Sequence, residues 1–507
     1  MAILHLLLKH RHILFILIFV VILLGYNIRK PFIGHHDWNG AFWGSMTRNY
    51  MSNLGKIIGN TYLQNLDQTS TGDFIFFYHY TPLLPVFFTV SGLVFGLNEI
   101  SMRLVTVVFS VLMLISIYKI GACLYSKNIG ILAAVFALIT PMFLYFGKLP
   151  DHEPILTALC TITFYFYLRL TPHKPISVLR FFILMALTLL ESWGGFFFLT
   201  VIMVHGLLTK KLNRKLMLGL TGLGLGVLLF HALMIFAIYG KSTILDFFNY
   251  GLIRMNMSEP GSNVTQFTWI QFIMTESRFL IVYFTRILVG LSAVWIIYFF
   301  LKLRKHALPS DLLLFLLFVY GFFFILVFRN LAYIHDYKLY VLLPFIALSS
   351  ARTILFLFNS LGNRISVSYP ISKWMNFRNS LIALIVLAVA WERTDFIVAL
   401  QKTSFNTPGF ELGNLIRSNT SPEEKTLVLS QEFDSFYGVF IKFYSNRSVS
   451  ADDVTLQQFK ENPDRYSETQ HFVLVDNRPV DSEMENYILT TYRHNKTGKF
   501  TLVDLIN

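Results

Sequence analysis

What most restricts this chain is a succession of apolar runs, most of them near the ~20 residues that a helix needs to cross a bilayer. They cover 12–28, 102–124, 129–147, 153–169, 179–208, 216–239, 279–301, 311–328, 338–358 and 380–398. The run 179–208 is too long for one span. It is interrupted by Glu191-Ser192-Trp193-Gly194-Gly195, which predicts two short helices forming a hairpin. A polar break at membrane depth is tolerated only where protein or a wet cavity covers it. Counting the hairpin twice predicts about eleven transmembrane helices of the bilayer-crossing kind. Of the 507 residues, 54% are hydrophobic and 14% charged, too little charge for a soluble protein of this length. The fold class is therefore an all-α polytopic membrane protein. The shorter stretch 82–97, with Pro82 and Pro85 at its start, reads as an interfacial or re-entrant helix.

Loop charges set the orientation. Lys9, His10 and Arg11 precede the first span and place the N-terminus inside. The loops 170–178, 209–215, 302–310 and 359–379 then all face inward, and nearly all are basic. The net charge of +13 thus reports topology, and no nucleic-acid partner is expected. The first run is too long for a cleaved signal and reads as a retained anchor. Cys123 and Cys160 lie inside apolar runs and imply no disulfide framework.

The outer segments are 30–101, 148–152, 240–278, 329–337 and everything after 399. From residue 400 the chain is more polar. Apolar runs at 426–429 and 471–475 alternate with helix-like stretches at 434–444, 454–463 and 481–490. This predicts a membrane domain over 1–399, with an outer loop at 31–101, and a small C-terminal extracytoplasmic α/β domain over 400–507.

This topology gathers four polar clusters at one membrane face: His35-His36-Asp37; Tyr78-His79-Tyr80; Lys148 with Asp151-His152-Glu153; and Arg329-Asn330 with His335-Asp336-Tyr337. Arg103, Glu276, Arg278 and Arg286 lie near the same face. Ionisable groups at or in a membrane are costly, so they are functional candidates. Plainer roles stand beside each. Asp37 would cap a helix beginning at Trp38, and Asp151 a helix beginning near Pro154. Arg103 would snorkel to the interface. His335 and Asp336 would form an ordinary ion pair. Glu191, inside an apolar run, needs a partner or a wet cavity. His, Asp and Glu are also divalent-metal ligands, but no fixed spacing such as HExxH is present, so a metal and its ligands stay unassigned and no cofactor is certain.

Four segments carry a family resemblance: HHDWNGAFWGSMTRNY, YHYTPLLPVFFTVSGLVFGLNEISMRL, YFGKLPDHEP and FRNLAYIHDYKLYVLLP. Together, over about residues 10–350, the chain resembles the C-fold (GT-C) membrane glycosyltransferases. Specifically, it is similar to the family 39-like bacterial relatives of protein O-mannosyltransferases and of aminoarabinose transferase. Tyr80-Thr81-Pro82 departs from the pattern, where relatives often carry a second histidine or proline. The resemblance implies a GT-C-like helix bundle and a polyprenyl-phosphate sugar donor. It also implies an essential aspartate in the first outer loop, matching Asp37, and a second acid after the third span, matching Asp151 or Glu153.

Such chemistry needs a base for the acceptor hydroxyl, for which Asp37 is the candidate. It needs cations for a lipid phosphate, for which Lys148, Arg103, Arg278, Arg286 and Arg329 are candidates. His36, Tyr78, His79, His152, His335 and Asp336 complete the expected substrate-binding set. The loop 240–278 is long enough to serve as a lid. The acceptor is expected to be an extracytoplasmic lipid, glycan or protein. The expected location is a bacterial inner membrane, with the site facing the periplasm or cell exterior. A dolichyl carrier in the endoplasmic reticulum is the alternative, and Asn263, Asn419, Asn446 and Asn495 are sequons in outer segments. A transporter or flippase is the reading from a different class. The hairpin 179–208 suits it, whereas the missing internal repeat and the gathering of polar groups at one face speak against it.

Overall fold

The structure, a computed structural model, describes residues 11–52, 61–64, 74–76, 79–257, 265–303, 308–365, 371–478 and 480–505. The chain forms two compact units. One comprises Met1–Ile28, Tyr78–Leu84 and Arg103–Gln401; the other comprises Arg29–Phe77, Pro85–Met102 and Lys402–Asn507.

The first unit is helical. Among the described residues, five helices are long and apolar enough to cross a membrane: Glu99–Leu124, Arg214–Ala237, Arg286–Leu303, Pro309–Val327 and Asp336–Leu361. The chain is an integral membrane protein on that evidence. Leu83–Phe95, Lys127–Ile139 and Gly194–Leu208 are shorter apolar helices. Asp336–Leu361 is the most enclosed of the long spans, 83% buried, whereas Arg286–Leu303 is 22% buried and faces mostly outward. A polar side chain on the first must therefore find protein partners.

Several expected spans have different limits. The run 129–147 is two helices, Lys127–Ile139 and Pro141–Phe146, because Thr140 adopts an extended backbone and its hydroxyl accepts from Phe143 N at 3.2 Å. The run 279–301 is broken at Thr285, whose φ of 70° is left-handed; Trp269–Phe284 ends there and a new helix starts at Arg286. The run 338–358 begins earlier, as a 3-10 segment over Asp336–Leu342 that leads into Leu343–Ile365. The run 179–208 is a hairpin of Pro175–Glu191 and Gly194–Leu208.

The second unit contains an antiparallel pair, β1 (Thr61–Gln64) and β2 (Phe74–Phe76), and five further strands, β3 (Lys425–Val428), β4 (Ser448–Ala451), β5 (His471–Val475), β6 (Arg493–Thr497) and β7 (Phe500–Asp504), which form a sheet of order β4-β3-β5-β7-β6. β3 runs parallel to β4 and β5, and β7 antiparallel to β5 and β6. β5 is buried along its whole length. Its alternate residues serve two cores, as the strand period of two requires. Val473 and Val475 pack with Leu412, Ile416 and Ile441. Phe472 and Leu474 pack with Met484 and Ile488.

In the first unit, the helices Glu99–Leu124 and Lys127–Ile139 meet backbone to backbone. A Cβ on Gly130 would lie 2.3 Å from the Tyr118 carbonyl oxygen, and one on Gly121 would lie 2.7 Å from the Gly130 Cα. Neither neighbour is a side chain that can turn aside. Gly130→Ala is therefore expected to lower the thermal unfolding temperature of the solubilised protein, at a cost of about 1–3 kcal/mol. Gly222→Ala, in a helix with open space around its Cα, is expected to leave it unchanged or raise it.

Candidate functional site

In the second unit, the loop before Trp38 is tied to the C-terminal segment. Phe32 N donates to the Tyr444 hydroxyl at 2.6 Å, and that hydroxyl donates to Glu99 Oε1 at 2.8 Å. Asn406 N donates to Ile33 O at 3.0 Å, and His35 N to Thr403 Oγ1 at 3.0 Å. Arg48 reaches the carbonyls at the end of Gln431–Ser445, with Nη2 donating to Phe443 O at 2.6 Å. A cation suits a helix C-terminus. Gly44 lets the helix Trp38–Ser52 approach, since its Cβ would lie 2.4 Å from the Phe443 ring.

Asp37 sits in this framework, 6% exposed. Its backbone carbonyl accepts from Ala41 N at 3.3 Å, and its Oδ2 accepts from Gly34 N at 2.7 Å. The carboxylate is thus held by the loop that precedes it. His36 has φ +57°, a conformation costly for a residue with a Cβ, and its ring lies 4.0 Å from that of His35.

In the first unit, the residues after the third expected span gather in the interior. Asp151 occupies the N-cap position of His152–Leu168 with extended backbone, but its side chain makes no capping hydrogen bond. Burial alone would raise its carboxyl. The Lys338 ammonium and His152, with the Glu153 side chain and a hydrogen bond from the His152 amide, outweigh that and hold it below the usual range. Glu153 forms a buried ion pair with Lys338. His152 Nδ1 lies 3.0 Å from Glu191 Oε1, and the His152 ring stacks on Tyr80 with centroids 4.1 Å apart. Glu191, at 0% exposure, therefore has its partner in His152.

Beside this cluster lies a cavity of about 370 Å³. Its walls are apolar, including Trp193, Phe247, Phe248, Leu252, Phe324 and Phe328, and its polar groups include His79, Tyr80, Arg254 and Lys338. The break in the hairpin 175–208 forms one side. Trp193 Nε1 donates to His79 O at 2.8 Å, and the Thr81 hydroxyl donates to Leu190 O. The irregular backbone at 192–193 thus lines a cavity, the setting in which such backbone is tolerated in a membrane. The helix Lys241–Arg254 closes the other side. His79 stacks on Tyr250 with centroids 3.6 Å apart, and the Arg254 guanidinium lies 4.5 Å over the Tyr250 ring.

The remaining expected residues divide. Arg103 Nη1 donates to Ile28 O at 3.0 Å, and Lys148 Nζ to Tyr26 O, so both brace the first span. Arg329 donates to Asn256 O at 3.1 Å and lies 4.6 Å over the Trp269 ring. Asp336 accepts from the Tyr283 hydroxyl, and His335 packs 5.1 Å from Tyr337. Arg278 and Arg286 are not in the cluster. Both are exposed, and Arg286 faces Glu392, with Nε–Oε1 3.7 Å. The break at Thr285 accounts for this, since it places Arg286 in the first turn of an outward-facing helix. Tyr78 and the loop residues 258–264 lie outside the described residues.

Lys338 and Arg254 were absent from the expected set. Lys338 stands at the head of an apolar run and reads as a flanking charge. Arg254 lies in a polar loop where one arginine is unremarkable. The signal for Lys338 was the buried acid at Glu153, which needs a cation.

These features meet the comparisons with known proteins. Residues 79–239 match the family model described as dolichyl-phosphate-mannose-protein mannosyltransferase, over about a third of the chain. In fold, the chain is similar to ArnT from Cupriavidus metallidurans bound to undecaprenyl phosphate, with TM-score 0.62, 12% identity and coverage of 98% of this chain and 97% of that one. It is also similar to the oligosaccharyltransferase AglB from Archaeoglobus fulgidus in complex with an inhibitory peptide and a dolichol-phosphate, with TM-score 0.55, 15% identity and coverage of 92% and 70%. The mycobacterial arabinofuranosyltransferase AftD matches with TM-score 0.53, 12% identity and coverage of 98% and 40%. No curated protein sequence matches. The chain has the fold of the GT-C membrane glycosyltransferases.

Removing one member of a buried ion pair strands the other, at about 3–5 kcal/mol. Lys338→Met is expected to destabilise the protein by that order, and Lys338→Met with Glu153→Leu to recover much of it, measured by thermal unfolding in one detergent. His79 gives a pH effect of defined sign. Burial first, then Arg254 and His231, lower its pKa to about 3. The unfolded chain takes up the proton near pH 6.5 and the folded protein does not, so stability is lost as pH falls from about 6.5 towards 3. His79→Gln is expected to flatten that part of the stability–pH curve.

Proposed function

We propose that this protein transfers a sugar from a polyprenyl-phosphate carrier to a hydroxyl- or amine-bearing acceptor at the extracytoplasmic face of its membrane. The observation that carries the reading is the apolar cavity with two cations, Arg254 and Lys338, on its wall. An isoprenoid phosphate has that duality of apolar chain and anionic head. The ligands named for the similar ArnT and AglB structures, undecaprenyl phosphate and dolichol-phosphate, belong to the same class.

In the proposed reaction the acceptor oxygen or nitrogen attacks the anomeric carbon. The bond from that carbon to the phosphate oxygen breaks, and polyprenyl phosphate leaves with its electron pair. Charge grows on the phosphate, where Arg254 supplies a bidentate donor and Lys338 a second positive charge. Glu153, with Asp151 beside it, fixes the Lys338 ammonium. The acceptor proton passes to a general base, and Asp37, whose carboxylate is oriented by Gly34 N, is the residue we propose for that role. Glu153 is paired with Lys338, and Glu191 with the His152 imidazole.

We place the site on the periplasmic or outer face of a bacterial inner membrane. The basic inner loops support that orientation.

The test is sugar transfer from polyprenyl-phosphate sugars by reconstituted protein. Asp37→Asn is expected to lower the rate about 10²- to 10⁴-fold, as loss of a general base does. Arg254→Gln is expected to weaken donor use by about tenfold or more, with the acceptor KM unchanged. Substrate uptake into proteoliposomes with no transfer from any donor would contradict the enzyme reading.

A further inference from the structure

In the second unit, a groove of about 950 Å³ lies between the helix Thr407–Asn419 and the turn from β6 to β7. Both walls follow from local sequence. The helix buries Gly409, Leu412, Gly413 and Ile416. Its period then presents Phe410, Asn414 and Arg417, with Glu411 and Ser418 beside them, to the groove. The opposite wall is the two-residue turn Gly498-Lys499, closed by the pairing of Thr497 with Phe500. Gly498 has φ +59°, the left-handed backbone that such a hairpin turn asks of its first central residue. Thr497 and Lys499 are thereby held on a short, paired hairpin.

The polar groups of the groove are open to a ligand. Among the described residues, Arg417 and Lys499 meet no carboxylate and Glu411 meets no cation. Lys499 lies 5.4 Å over the Phe500 ring. Asn414 Nδ2 donates to Phe410 O at 3.0 Å, which leaves the amide oxygen to accept. Charge is also sorted here. Between 402 and 507 the chain carries eleven Lys and Arg against fifteen Asp and Glu, an excess of four negative charges. The groove reverses that balance, with Arg417 and Lys499 against Glu411. Arg48 stands near the Arg417 end. Burial first, and then the Arg417 charge, lower its pKa to about 10, so the field of Arg417 reaches its neighbours uncancelled. The run 493–499 adds Arg493 and His494 without an acid, while its Lys496 already pairs with Asp476 at 2.9 Å.

We propose that this groove binds an acidic oligosaccharide, a chain of sugars bearing carboxylate or phosphate groups. Arg417 and Lys499 take the acidic groups. Sugar hydroxyls are donors and acceptors at once, and Asn414, Ser418, Thr497 and Glu411 supply both kinds of partner. Phe410 and Phe500 offer apolar surface to the C–H faces of the rings. An acidic peptide would bind best by pairing its backbone with a free strand edge, whereas this groove presents a helix face and a turn. That such a saccharide is the acceptor of sugar transfer rests on the function proposed above; its binding to the groove does not.

The test uses full-length protein in detergent with no sugar donor present, so its result is independent of whether transfer occurs. Fluorescently labelled hexagalacturonate is titrated by anisotropy, with maltohexaose as the neutral chain of equal length and hexaglutamate as the acidic peptide. Wild type is expected to bind hexagalacturonate about tenfold or more tightly than either, with an affinity that falls as salt rises. Arg417→Gln with Lys499→Gln is expected to weaken that binding by about tenfold or more. Lys460→Gln with Arg478→Gln removes the same charge outside the groove and is expected to leave it unchanged. Thr497→Val, at an exposed strand position, keeps every charge and is expected to weaken hexagalacturonate by a few-fold and hexaglutamate not at all. Undiminished binding in Arg417→Gln with Lys499→Gln, or an equal loss in Lys460→Gln with Arg478→Gln, would overturn the groove as the site. Hexaglutamate bound as tightly as hexagalacturonate, or maltohexaose bound as tightly, would overturn the acidic-saccharide assignment.

Discussion

The buried pair between Lys338 and Glu153 is the interaction on which the membrane unit's interior depends. Two charges removed from water are tolerated only when each neutralises the other and the neighbouring groups satisfy what remains. Here Asp151 and His152 stand beside the pair, and His152 in turn holds Glu191. Four elements are thereby joined: the start of His152–Leu168, the end of Pro175–Glu191, the 3-10 segment Asp336–Leu342, and the segment carrying Tyr80. The 3-10 geometry over 336–342 brings Lys338, at the head of the most enclosed span, to Glu153 at the start of His152–Leu168. A substrate phosphate in the adjoining cavity would meet a cation already oriented, which is the condition under which electrostatics accelerates a reaction.

The hairpin break has a physical reason of the same kind. Glu191 is stable at membrane depth because His152 faces it, and Ser192 and Trp193 leave the helix because they line a cavity and hold the 79–81 segment. In the other unit, the loop bearing Asp37 is fastened to the C-terminal segment through Tyr444, Asn406 and Thr403. Residues more than 350 positions apart in the chain thus set the conformation of the Asp37 loop.

That separation explains what could be read from sequence. Apolar run length is local, so the membrane character and the interruption at Glu191-Gly195 were legible. Asp37 stands out as a candidate by the same local reading, because polar groups and a tryptophan follow an anchor. The limits of 279–301 were not, because a left-handed Thr285 leaves no trace in hydropathy, and Arg286 consequently reads as a candidate ligand although it faces outward. Lys338 and Arg254 were missed for a related reason. A cation at a helix end or in a loop is ordinary by sequence, and only the contact with Glu153 or the stacking on Tyr250 distinguishes it.

The central claim is that the cavity walled by Trp193, Phe247 and Phe328 holds the carrier lipid. It is tested most directly by a photo-crosslinking amino acid placed at Leu252, a cavity residue, with Ile297 on the outer surface of the span Arg286–Leu303 as reference. Labelled polyprenyl phosphate added to the reconstituted protein is predicted to be captured at position 252 well above position 297. Excess unlabelled polyprenyl phosphate is predicted to compete for that capture. Equal capture at the two positions, without competition, would contradict the account.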